Sequence, residues 1–183
     1  DDDDAIAPDP GSASDSCLGK TALLPGVTAT FQNYTSYSRG INGIMVDIQN
    51  LPGDPTAADF EFKVGNDNTP VDWQEVGVDP TIAVRASEGV DGSDRVVLTF
   101  PDNTIENQWL QVTVLATQDM GLAEEDVFYF GNAIGESCNS AANAFVDGTD
   151  FAGARDNPHN FLNRVPIDDP FDFNRDSFVD GTD

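Results

Sequence analysis

The segment DFNRDSFVDGTD, residues 172–183, carries an oxygen donor at each position where a twelve-residue ion-binding loop needs one. Asp172, Asn174, Asp176, Asp180 and Asp183 stand at loop positions 1, 3, 5, 9 and 12, and Phe178 at position 7 offers its backbone carbonyl. Calcium is a hard cation that takes six to eight such oxygens, and a single turn of chain with this spacing wraps it. Four carboxylates in one loop repel each other unless a cation lies among them, so the pattern predicts Ca2+ as the cofactor.

A second copy of the pattern lies upstream, because AFVDGTD at 144–150 returns as SFVDGTD at 177–183. In the same register Asn139, Ala141, Asn143, Phe145, Asp147 and Asp150 take the ligand positions. With an amide at position 1 and an alanine at position 3, two carboxylates remain. This loop should bind calcium more weakly, or borrow an oxygen from elsewhere, such as Glu136. Neither loop has the usual glycine at position 6, where Ala144 and Ser177 stand, so a strained or altered turn is expected. The stretch TDFAGARDN after the first loop predicts a short helix with Asp150 at its start and Pro158 stopping it.

Such loops must be held by a scaffold, and residues 18–136 have the pattern of one. Short segments rich in β-branched and aromatic residues alternate with turns such as LPGDP, GNDNTP and GVDGSD. Strands are predicted at VTATFQNY, INGIMVDIQN, DFEFKVG, TIAVRAS, DRVVLTF, QWLQVTVLAT and DVFYFGN, with weaker ones near KTALL and VDWQEV. The sets Ile44/Val46/Ile48, Phe60/Phe62/Val64 and Leu110/Val112/Val114 sit at every second position and should face a core. The expected fold is mostly β: an antiparallel β-sandwich, jelly-roll-like, over 17–136, followed by a small calcium-binding region of loops and helix over 137–183. Residues 1–16, DDDDAIAPDPGSASDS, show no periodicity and read as an extended arm whose apolar stretch centres on Ile6.

The 2 cysteines, Cys17 and Cys138, have no metal-site or redox spacing and are expected to form one disulfide, which implies an oxidising compartment. With 8 basic residues against 33 acidic ones and a net charge of -25, the chain should repel nucleic acid and anionic membrane surfaces. No apolar run approaches the roughly 18 residues of a membrane helix, so membrane insertion is not expected. The acidic start, Asp1–Asp4, is unlike a signal peptide and reads as a mature or trimmed form. Asn33-Tyr34-Thr35 is an N-glycosylation sequon. Trp73, Trp109, Tyr34 and Tyr37 would form a sugar-stacking platform if one exposed face displayed them together. The single histidine, His159, has no nucleophile or metal motif attached to it, and no catalytic residues are singled out.

The paired loops and intervening helix segment resemble the dockerin family over roughly residues 132–183. Together with stretches such as INGIMVDIQNLPG, NQWLQVTVLA and DVFYFGNAIGES, the chain resembles the β-sandwich-plus-dockerin-like modules of large bacterial surface proteins. The resemblance implies an extracellular or cell-surface location. It departs from the dockerin pattern in that residues 172–183 carry the second loop without the pattern's second helix, so this loop is expected to fray, to belong to a longer chain or to be completed by another molecule. The expectation is a non-catalytic structural or assembly protein whose partner is another copy of itself, in head-to-tail filaments, or another surface protein. The alternatives are a dockerin-like anchor and a carbohydrate-binding module with glycan as partner.

Overall fold

In the computed structural model, residues 20–140 and 143–183 are described, and among them strands dominate and one α-helix occurs. The strands are β1 (Tyr34–Thr35), β2 (Gly43–Ile48), β3 (Phe60–Gly65), β4 (Gln74–Glu75), β5 (Thr81–Arg85), β6 (Asp94–Thr99), β7 (Trp109–Val114) and β8 (Asp126–Asn132); the helix is α1 (Gly148–Asp156). They form two sheets, ordered β1-β8-β7-β3-β4 and β2-β6-β5. All pairs are antiparallel except β1 with β8, where Tyr34 lies opposite Gly131 in parallel.

The predicted alternation explains how the sheets meet. Ile44 and Ile48 of β2, Phe60 and Phe62 of β3, Val96 and Leu98 of β6, and Leu110, Val112 and Val114 of β7 join one buried cluster with Phe100, Ile105, Met120 and Phe128. Val46 and Val64, the remaining members of the predicted core sets, are partly buried against it. Each large apolar side chain so buried contributes about 1.5–3 kcal/mol before the entropic cost of ordering the chain.

The predicted strand over VTATFQNY is replaced, in its second half, by a 3-10 turn, Phe31–Asn33, followed by the two-residue β1. The Asn33 carboxamide Oδ1 accepts from the Thr30 amide at 2.8 Å and from the Thr30 hydroxyl at 3.1 Å, so the turn closes on its own polar side chains. A 3-10 turn places residues three apart on one side, and Phe31 and Tyr34 are both buried. Thr56–Asp59 repeats the device before β3, with the Thr56 amide donating to Asp59 Oδ2 at 2.8 Å. KTALL contributes only a bridge between Leu23 and Tyr129.

The C-terminal part lies directly on this body. The Ser38 amide donates to the Phe173 carbonyl at 2.7 Å, and the Arg175 guanidinium donates to Ser36 Oγ at 3.3 Å. Val165, Phe173 and Val179 are buried. Reciprocal backbone bonds of 3.0 Å between His159 and Val179 fold the chain after α1 back against the second loop. Among the described residues no helix is long and apolar enough to cross a membrane.

Candidate functional site

Asp172 anchors the second loop. Its side chain is fully buried, with Oδ1 accepting from the Asp176 amide at 3.2 Å and Oδ2 from the Ser177 amide at 2.9 Å. Further along, Asn174 Oδ1 accepts from the Asp176 amide at 2.9 Å, Asp176 Oδ1 from the Phe178 amide at 2.9 Å, and Asp180 Oδ1 from the Thr182 amide at 2.9 Å. Asp183 closes the ring: Oδ1 takes the Asn174 amide at 3.2 Å and Oδ2 the Asp180 amide at 3.0 Å. Every side-chain ligand expected in this loop thus turns an oxygen toward the loop's own backbone.

That curl requires two sharp reversals, and Arg175 and Ser177 adopt left-handed φ of 60° and 70°. The turn expected at position 6 therefore forms with a serine in a conformation that glycine adopts freely and that costs other residues about 1–2 kcal/mol. Burial pushes the Asp172 carboxyl up, with nearby Asp183 adding to it, although the Ser177 amide and Arg175 pull the other way. Arg175 is itself lowered by burial despite the neighbouring Asp172, Asp169 and Asp168, and it donates to the Asp169 carbonyl at 2.6 Å.

The first loop shares half of this geometry. Asn143 Oδ1 accepts from the Phe145 amide at 3.0 Å, Asp147 Oδ1 from the Thr149 amide at 2.7 Å, and Asp150 Oδ2 from the Asp147 amide at 2.8 Å, matching Asp176, Asp180 and Asp183 in the second loop. The other half diverges. Asn139 is exposed, Ala141 lies outside the described residues, and Ala144 lacks the left-handed conformation of Ser177. The second oxygen of buried Asp150 is taken by Ser137, from its amide at 3.0 Å and its hydroxyl at 2.8 Å. Burial alone would raise the Asp150 carboxyl, but the donors from Asp147 and Ser137 outweigh it and hold it low. Asp147 is the N-cap of α1, so the helix starts at Gly148, two residues before the expected Asp150; Asn157 caps its other end, followed by Pro158. Here Asp150 acts as a structural tie between loop, helix and sheet body.

Glu136, the oxygen this loop was expected to borrow, is fully buried. Oε2 accepts from the Tyr34 hydroxyl at 2.6 Å, while Oε1 has no partner among the described residues. Close by, Lys20 donates to the Phe31 carbonyl at 3.0 Å and lies 3.7 Å from the centre of the Phe31 ring. Burial, reinforced by Arg175 and opposed by Glu136, lowers the Lys20 ammonium to about 7. The unfolded chain therefore takes up this proton well before the folded one as pH falls. Stability should drop from pH about 10.5 to about 7, and Lys20→Met should flatten that window in urea unfolding compared across it. An unchanged pH profile in the variant would show that Lys20 keeps its charge when folded.

Cys138 is disulfide-bonded; Cys17, the other half of the expected bridge, lies outside the described residues, as do residues 1–16. The Asn33 side chain of the sequon is buried, with Nδ2 donating to the Thr21 carbonyl at 3.0 Å. Tyr34 is buried edge-on to Trp109, and Trp73 packs edge-on to Tyr129; Gly131 lies opposite both Tyr34 and Trp109, and Gly65, opposite Trp109, lies against the Trp73 ring, so Tyr34, Trp109 and Trp73 share one face of the sheet, with Tyr34 buried. His159 Nδ1 lies 3.1 Å from the Asn163 carbonyl.

The donors of the second loop suit calcium in kind, being carboxylate, amide and carbonyl oxygens. They are not yet gathered: among the described residues no three His, Cys, Asp or Glu side chains converge as a group able to hold a metal ion. Amide-bound carboxylates keep free lone pairs, and an ion would have to draw those oxygens inward. The chain matches no protein-family model, no curated protein and no solved structure.

Proposed function

We propose that this chain is a non-catalytic structural protein of the cell surface or extracellular space, a β-sandwich carrying a dockerin-like calcium region, which calcium rigidifies for assembly with further copies head to tail. The observation that supports it most is the second loop, where all five expected side-chain ligands accept from the loop's own amides around two left-handed residues. Its contacts with the body, through Phe173 and Arg175, give an ion there a route to stiffen the whole chain. Calcium also screens the charge of -25 that each copy brings to a contact.

A dockerin-like anchor to a different surface protein is the second reading, favoured by one feature. Phe145, Phe151, Phe161 and Leu162 around α1 are each at least 70% exposed, which is unusual for a surface without a partner. Sizing by light scattering in millimolar calcium and in chelator separates the two. Assembly reads as large, concentration-dependent particles that shrink on chelation. Monomers in both conditions would overturn it.

A further inference from the structure

Strand β2 is one of the two outer strands of its sheet, β5 being the other. The Phe100 amide donates to the Asn42 carbonyl at 3.0 Å, which sets the phase of the β2-β6 ladder: Ile44, Val46 and Ile48 bond across to β6. The backbone groups of Gly43, Met45 and Asp47 then point away from the sheet, and no described residue pairs with them. Beside this edge runs a groove of about 220 Å3, floored by Val46, Ile48, Val114, Met120 and Leu122, with Asp126 at its mouth. A free row of backbone donors and acceptors next to an apolar trough has the two features that an added strand uses, hydrogen bonds for affinity and a pocket for a side chain.

We propose that this edge and groove receive the N-terminal segment, residues 1–16, of a second copy, with Ile6 in the trough. The inference rests on the head-to-tail reading above and supplies its contact. Two arguments select this occupant. The first is direction. From Leu23, paired with Tyr129, back to Lys20, bonded near Phe31, the chain runs toward the Asn132 end of β8, while the groove opens at the Asp126 end. With Cys17 expected to bridge to Cys138, just past the Asn132 end of β8, the sixteen residues before it are tethered at the pole opposite the groove and can extend to roughly 55 Å, well beyond the roughly 20 Å of β8. A segment leaving one pole meets the opposite pole of the next copy in a stack.

The second argument is content. Within residues 1–16 Ile6 is the one large apolar side chain, flanked by Ala5, Ala7 and Pro8, and the trough is a single pocket. Charge opposes the contact, since Asp1–Asp4 and Asp9 approach a rim carrying Asp47 and Asp126. Asp47 is partly offset by Arg95 at 2.8 Å. The association should therefore strengthen with salt, the reverse of a contact between opposite charges.

The test uses the full chain with one change on each side. Ile6→Asp spoils the segment and leaves the groove intact; Met45→Pro removes an outward amide, a change an edge strand tolerates, and leaves the segment intact. Each alone should weaken self-association about tenfold or more and give monomers at concentrations where the parent assembles. An equimolar mixture should stop at heterodimers, because only one productive pairing remains. The Met45 and Asp47 amides should gain hydrogen-exchange protection in the parent as concentration rises. A parent that assembles while Ile6→Asp assembles equally well overturns this contact and leaves the assembly reading standing. A parent that stays monomeric in calcium at every concentration overturns both. Protection of Met45 that does not change with dilution and vanishes in Ile6→Asp would place the chain's own segment in the groove and overturn the second copy.

Discussion

Asp172→Ala is expected to destabilise the chain by about 1–3 kcal/mol and to remove its response to calcium. The Ser177 amide loses its acceptor beside a fully buried anchor, at a cost of about 1–3 kcal/mol, while the Asp176 amide keeps Asn174 Oδ1 at 2.9 Å. Asp172→Asn separates the two roles. The carboxamide keeps one oxygen acceptor for these amides and sheds a charge that is disfavoured where it sits, so in chelator it should unfold at nearly the parent's urea concentration. In calcium it should fall behind, because a ligand present at a hundredfold excess over its dissociation constant stabilises the parent by about 2.7 kcal/mol. Urea unfolding of the three proteins with and without calcium reads both effects. Equal stability of the parent in calcium and chelator would remove calcium from the account, whatever the variants do.

A loss of comparable size is expected from a single oxygen atom elsewhere. Tyr34→Phe deletes the hydroxyl that donates to Glu136 at 2.6 Å, the one protein partner this buried carboxylate has among the described residues. Leaving a buried polar group without its hydrogen-bond partner costs about 1–3 kcal/mol, because the group keeps its desolvation penalty and gains nothing for it. Burial and the Glu136 bond also push the Tyr34 hydroxyl far up, so the donor stays protonated throughout the stable pH range. The double variant Tyr34→Phe with Glu136→Leu should recover most of the loss, since removing both polar partners is close to neutral. Additive effects of the two single variants would show that the pair is not coupled. The same pair joins β1 to the segment leading into the first loop, so its loss should also speed hydrogen exchange around Ser137 and Asp150.

The strands were legible where one face of a sheet decided everything. In β7 Leu110, Val112 and Val114 alternate with Gln111, and that two-residue period is the pleat itself. Where polar side chains closed the chain locally, the period misled. Val27 to Tyr34 looks like a strand by composition, but Thr30 and Asn33 bond to each other across a turn, and Val27 remains exposed because no sheet is there to bury it. The T-x-x-N and T-x-x-D signals at Thr30 and Thr56, and D-x-x-D at Asp147, were present in the sequence as capping patterns and are the signal that would have found these turns.

For the candidate site, the sequence by itself determined which atoms a loop could offer. Spacing and residue type placed six donor positions within 172–183, and the repeat located its weaker counterpart. Those statements need only the covalent chain, since neighbours within twelve residues cannot be far apart. What the tertiary structure decided is everything that joins distant residues. It buried Asp172 and Asp150 to different ends, one as the anchor of a loop and the other as a tie to Ser137. It set Glu136 against Tyr34, across 102 residues of chain, and among the described residues it left the edge of β2 unpaired beside an apolar groove. Local spacing carries no information about such meetings, because they follow from how two sheets stack and which edges that stacking leaves uncovered.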